Sequence, residues 1–102
     1  MNKLLGFLGI IKRSGKLSLG FDACIDCIVS KKSKLILISN EISLNSRENI
    51  EFKAKQNEIE VIIINISISE LEKIFHKKVG IMSINDLNMS KKIHSYKEIY
   101  NL

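Results

Sequence analysis

Lys34-Leu35-Ile36-Leu37-Ile38-Ser39 sets four large apolar residues in a row, with none of the polar alternation that a water-facing strand shows. Successive strand side chains point to opposite faces, so such a segment has no side to offer solvent and must be covered on both. Ile59 to Ile64 reads as a second buried strand, very rich in β-branched residues. A chain carrying such strands has to place helices above and below one sheet.

The remaining segments supply those helices. Apolar residues at positions 4, 5, 8 and 11 recur at helical spacing, and Gly15 is a suitable stop, which predicts a first helix over 2–14. A short extended piece, 16–19, follows. Gly20 starts a second helix, in which Phe21, Cys24, Ile25 and Ile28 form an apolar face until Ser30-Lys31-Lys32-Ser33 ends it. The polar stretch from Ser43 to Asn57, with Leu44, Ile50 and Ala54 among it, predicts a mostly exposed third helix. Ser67-Ile68-Ser69-Glu70 has the spacing of a capping box, which opens a fourth helix over about 67–77. Val79 to Ile84 alternates into a further strand, and a last helix from about Asp86 carries Leu87, Ile93 and Ile99 inward. Tyr96 and Tyr100, four apart, are expected to staple that helix to itself or to the sheet. Alternating helices and strands over residues 1–102, without proline or a Gly/Ser-rich linker, predict one α/β domain with a sheet sandwiched between helices. Glycines interrupt the apolar start, and no small-x-small cleavage site follows it, so it reads as an amphipathic helix and the chain as cytoplasmic, with no membrane partner.

Charge is distributed unevenly. Residues 1–34 hold Lys3, Lys12, Arg13, Lys16, Lys31, Lys32 and Lys34 against Asp22 and Asp26, an excess of five that equals the net charge of the whole chain. The excess centres on Arg13-Ser14-Gly15-Lys16-Leu17-Ser18-Leu19-Gly20, beside a predicted helix start, where backbone amides and cations together can hold phosphate. The alternative for the same lysines is a solvated surface. Phe21 is the one aromatic near them and reads as core, so a stacking platform for single strands is not supported.

Catalytic signals are weak. Cys24-Ile25-Asp26-Cys27 has the spacing of a redox pair or of half a zinc site, yet no second such pair accompanies it, and His76 and His94 are far away in sequence. Cys24 falls about one turn inside the predicted helix, on the face of Phe21 and Ile28, which favours two small residues packed in or near the core. His76, before Lys77-Lys78, reads as a helix C-terminal charge; the carboxylates are scattered and form no acid pair. No enzyme, cofactor, metal or small-molecule substrate is expected, and a Cys-x-x-Cys oxidoreductase ranks third among the readings.

Arg13-Ser14-Gly15-Lys16-Leu17-Ser18-Leu19-Gly20-Phe21, the spacing to Ser33-Lys34-Leu35-Ile36-Leu37-Ile38-Ser39, and Ser69-Glu70-Leu71 resemble the kink-turn RNA-binding ribosomal protein superfamily, with the bacterial YlxQ-type branch nearest. The resemblance implies a three-layer α/β/α sandwich around a mixed four-stranded sheet, no catalysis, and binding of a structured, sharply bent RNA such as ribosomal RNA. It implies base contacts at the stretch Gly20, Phe21, Asp22, Ala23 and Asp26. In the family that stretch reads Gly-x-Asn/Lys-Glu/Gln-x-x-Lys, so only the glycine is kept here. It also implies apolar contact to an extruded base from Asn65, Ile66, Ser67 and Ile68, with Asn40 and Glu41 lining the groove. Glu72 stands where the family has glycine. Phosphate contacts would come from Lys12, Arg13, Lys16, Lys31, Lys32 and Lys34, with all these residues on one continuous face of a monomer. Ala23, Asp26 and Glu72 motivate the alternative, a protein-interaction module that kept the fold and lost specific RNA binding.

Overall fold

Strand β2 (Leu35–Ser39) is buried along its whole length, as its unbroken apolar run requires. A computed structural model describes residues 3–96, in which α1 (Lys3–Arg13), β1 (Leu17–Leu19) and α2 (Phe21–Val29) precede β2. After it come α3 (Leu44–Gln56), β3 (Val61–Ile64), α4 (Ile68–Phe75), β4 (Ile81–Ile84) and α5 (Leu87–Ile93). The strand order is β1-β4-β2-β3. β2 runs parallel to β3 and antiparallel to β4, and β1 runs antiparallel to β4, so the four-stranded sheet is mixed.

Alternation along the central strands divides the core in two. Leu35, Leu37, Met82 and Ile84 pack with Leu4, Leu8 and Ile11 of α1, Leu71 and Phe75 of α4, and Ile93 of α5. Ile36, Ile38 and Ile81 pack with Cys24 and Ile28 of α2 and Ile50 and Ala54 of α3. Helices therefore cover both faces, which gives the α/β/α layering expected from the sequence.

Three expectations need correction or limits. β3 is an edge strand, and Val61, Ile62 and Ile63 are only half-buried, because one long side of that strand has no strand beside it among the described residues; Ile59 and Glu60 precede it. Leu87 is 54% exposed although Ile93 is fully buried. Six residues of helix rotate a side chain to about 120° from its starting direction, so the two cannot share an inward face. Ile99 and Tyr100 lie outside the described residues, while Tyr96 stacks on Phe7 of α1 with ring centroids 5.6 Å apart.

Helix ends follow from local chemistry. Gly15 (φ 78°) lets Lys16 donate to the Ile11 carbonyl at 3.2 Å while its own amide donates to Lys12 at 3.0 Å, closing α1. Lys31 takes the same left-handed role after α2 (φ 66°), with the Lys32 amide on the Cys27 carbonyl at 2.9 Å. The Ser67–Glu70 capping box forms as its spacing predicts.

The topology gives the sheet two distinct ends. At one, Gly20 donates to Ile81, Ser39 to Gly80 and Asn40 to Ile64 through their backbones. At the other, Lys34 donates to Ile84 and Asn85 to Lys16. Five residues of β2 put about 13 Å between them.

Candidate nucleic-acid interface

Gly20 sits where β1 hands over to α2, with φ 98° and ψ 161°. Only glycine adopts that combination readily, so the fold itself requires the residue. No side chain caps α2, whereas Ser43, Ser67 and Asp86 cap α3, α4 and α5. An uncapped helix start presents amide donors and the positive end of the helix dipole. Gly20 and Phe21 line a shallow groove of about 260 Å³ that they share with Glu41, Ile68 and Lys78.

The loops after β2 and β3 are tied together at this groove. Asn40 Nδ2 donates to Asn65 Oδ1 at 2.9 Å, and the Ile68 amide donates to Glu41 Oε1 at 2.8 Å. Between them the buried Ser39 hydroxyl donates to the Ile66 carbonyl at 2.7 Å and accepts from the Glu41 amide at 3.1 Å. Ser67 is occupied as a helix cap, accepting from Glu70 at 3.1 Å. These bonds fix both loops against one another, as a preorganised site needs.

Several of the sequence-derived site residues take other places. Ile66 is fully buried in the core beneath α1 and α4, so its side chain holds the loop down and Ile68 is the apolar group at the groove. Asp22 is exposed in the first turn of α2, where a carboxylate favours the helix dipole; Asp26 is exposed, and Ala23 half-buried. Phe21 is half-buried against the α2–α3 core and also forms a groove wall.

The expectation of one continuous face fails for the cations. Lys12 and Arg13 end α1, Lys31 and Lys32 follow α2, and Lys16 and Lys34 flank the far end of β4, all away from Gly20. Proximity in sequence misled here because β1, which precedes Gly20, and α2, which follows it, each run from one end of the sheet to the other. Lys16, Lys32 and Lys34 instead border a separate recess with Ser18, Cys27 and Asn85. Lys78, Ser18 and Asn85 were missed by the sequence reading; they join their sites only through the placement of β4 between β1 and β2, which no local spacing reveals.

The cysteines behave as packed side chains. Cys24 is fully buried and Cys27 is 8% exposed. Burial, reinforced by Cys27 nearby, pushes the Cys24 thiol up to about 12, so it stays protonated at neutral pH. His76 ends α4 in a left-handed conformation, and His94 Nε2 lies 3.0 Å from Glu60 Oε1 across the surface. Among the described residues, no group of three or more His, Cys, Asp or Glu is arranged to hold a metal, and no helix is long and apolar enough to cross a membrane.

Comparison with known proteins agrees with this architecture. The RNA-binding protein YlxQ of Enterococcus faecium is 26% identical over 90 residues, which span 88% of this chain and 86% of that protein. A solved structure of a Bacillus halodurans protein of unknown function superposes with a TM-score of 0.85 at 18% identity, covering 93% of this chain and 96% of the other. The Giardia lamblia 15.5kD RNA binding protein superposes with a TM-score of 0.75 at 11% identity, covering 95% and 87%. The model of the ribosomal protein L7Ae/L30e/S12e/Gadd45 family matches residues 2–94, and the chain belongs to that family.

Proposed function

We propose that this family member is a non-catalytic RNA-binding protein that docks a structured, kinked RNA at the Gly20 end of its sheet. The observation that carries the reading is the convergence there of an uncapped helix start with two cross-tied loops. The α2 amides and Lys78 meet phosphate, Ile68 and Phe21 offer apolar surface to a base edge or an unstacked base, and outside the groove the exposed Asp22 and the polar atoms left over from the Asn40–Asn65 bond supply hydrogen-bonding groups. Its family membership and the RNA-binding character of the Enterococcus relative support RNA as the ligand.

The groove does not depend on a lysine from α2 as the family motif does. Asp26 faces solvent where that lysine would stand, so less of the affinity here comes from counterion release and more from shape. Equilibrium binding of a labelled kink-turn RNA and of a matched straight duplex, each at two salt concentrations, tests the reading. A preference for the kinked RNA that persists at the higher salt is expected. Equal binding to both refutes shape recognition, and no binding to either at the lower salt transfers the site to a protein partner.

A further inference from the structure

The basic excess of the sequence is concentrated at the end of the sheet opposite Gly20, and that end is built differently. Lys16, Lys32 and Lys34 border a recess of about 400 Å³ that is also lined by Gly15, Ser18, Cys27 and Asn85, with no carboxylate in its wall among the described residues. Its floor is a connected polar network. Ser83 Oγ donates to Asn85 Oδ1 at 2.7 Å, Asn85 Nδ2 donates to Ser18 Oγ at 3.0 Å, and Cys27 Sγ lies 3.2 Å from the same Ser18 oxygen.

Stabilisation of the fold accounts for only part of this charge: Lys34 Nζ donates to the Lys31 carbonyl at 3.4 Å, beyond the end of α2. None of Lys16, Lys32 and Lys34 has a carboxylate within ion-pair distance among the described residues, where the ion pairs are Arg47–Glu51 and His94–Glu60. Two helices, α1 and α2, end nearby, and each C-terminus carries about half a negative charge. Against that total of about one stand six cations, Lys12, Arg13, Lys16, Lys31, Lys32 and Lys34. The terminal carbonyls of both helices are moreover already bonded, Ile11 by the Lys16 amide and Cys27 by the Lys32 and Ser33 amides. The acidic residues towards this end are Asp26, exposed in the last turn of α2, and Glu58 and Glu60, which lie beside the edge strand β3 in a different recess with Glu51. Asp86 is engaged in capping α5. What remains over β1 and β4 is an uncompensated positive concavity with hydrogen-bonding groups at its base.

We propose that this recess is a second phosphate-binding site, which takes backbone phosphates of an RNA segment other than the one held at Gly20. The two sites face opposite ends of one rigid sheet, so a single molecule bridges two RNA segments. The choice of RNA as the phosphate source rests on the function proposed above; binding of phosphate in the recess does not.

The test uses the full chain and the variant Lys16→Gln/Lys32→Gln/Lys34→Gln. Two-dimensional NMR with inorganic phosphate is expected to give saturable shifts at the Gly15, Lys16, Ser18 and Asn85 amides, absent from the variant; no saturable shift there overturns the site. For RNA, the variant is expected to lower the magnitude of the log K against log salt slope by about 2 to 3, at roughly 0.7 to 0.9 for each phosphate no longer neutralised. It should also keep the wild-type ratio of kinked to straight binding. An unchanged slope with phosphate shifts present overturns RNA as the source and leaves a small phosphorylated ligand. If wild type shows no kink preference but the variant still flattens the slope, the function proposed for the Gly20 end fails and the second site stands. The variant is expected to be at least as stable as wild type, since it removes mutual repulsion; a loss of stability would mean that these lysines serve the fold, and would overturn the proposal.

Discussion

Replacing Gly20 and Gly6 separately by alanine separates backbone strain from steric fit. A Cβ added at either position meets nothing within 4 Å, so neither substitution creates a clash. Gly20, however, holds φ 98° and ψ 161°, and a residue with a side chain forced into that region costs about 1 to 3 kcal/mol. Gly6 lies inside α1, where alanine loses less entropy on folding and gains about 0.5 to 1 kcal/mol. For a domain of this size, with total stability of about 5 to 15 kcal/mol, Gly20→Ala should lower the melting temperature by on the order of 10 °C. Gly6→Ala should raise it by a few degrees. Urea unfolding of both variants reads the difference as opposite shifts of midpoint at unchanged slope. A Gly20→Ala protein as stable as wild type would refute the claim that the fold demands this glycine. Its retention in the family motif would then point to close approach of a ligand.

Further predictions follow from the same reasoning. Lys31 and Glu58 close their helices at φ 66° and 59°, so Lys31→Gly and Glu58→Gly should each stabilise the protein by about 1 kcal/mol; unchanged or earlier denaturation midpoints would contradict this. The Ser33 hydroxyl is buried without a hydrogen-bond partner among the described residues, so Ser33→Ala should be neutral or raise the melting temperature, and a loss of more than about 1 kcal/mol would contradict this. Because Cys24 is shifted from 9.0 up to about 12, its contribution to stability is complete below pH 9 and is lost as pH rises towards 12. Wild type should therefore lose stability faster over that interval than Cys24→Ala, and parallel pH profiles would show that the thiol is not desolvated. Ile68→Ala would remove the apolar side chain from the groove wall, so it should weaken binding of the kinked RNA; equal affinity would place Ile68 outside the contact.

How much was legible in the sequence depends on whether a feature was local. The unbroken run Leu35 to Ile38, the stop at Gly15 and the Ser67–Glu70 box are each decided within one or two turns of chain, and each forms as read. The half-buried state of β3 depends on strand order, which places it at the edge, and a β-branched run alone does not carry that information. The site shows the same division. Asn40, Glu41, Asn65 and Ile68 were named from the family pattern and do meet, held by hydrogen bonds that span 25 to 27 residues. The lysines were grouped with Gly20 because they are its neighbours in sequence. In the fold, the three-residue strand before Gly20 and the nine-residue helix after it put them at the other end of the sheet. Ile66 was misassigned for a related reason: in a loop, the side chain that reaches the core cannot be told from the one that faces solvent without the strand register.

The central claim, RNA held at the Gly20 groove, is tested most directly by mapping backbone amide shifts on titration with a kink-turn RNA. The account predicts that the largest changes fall on Gly20, Phe21, Glu41, Ile68 and Lys78, with a second set near Lys16 and Lys34 when the RNA is long enough to reach both ends. Changes confined to the exposed apolar face of α3 at Leu44 and Phe52, or absent from the Gly20 groove at saturation, would contradict it.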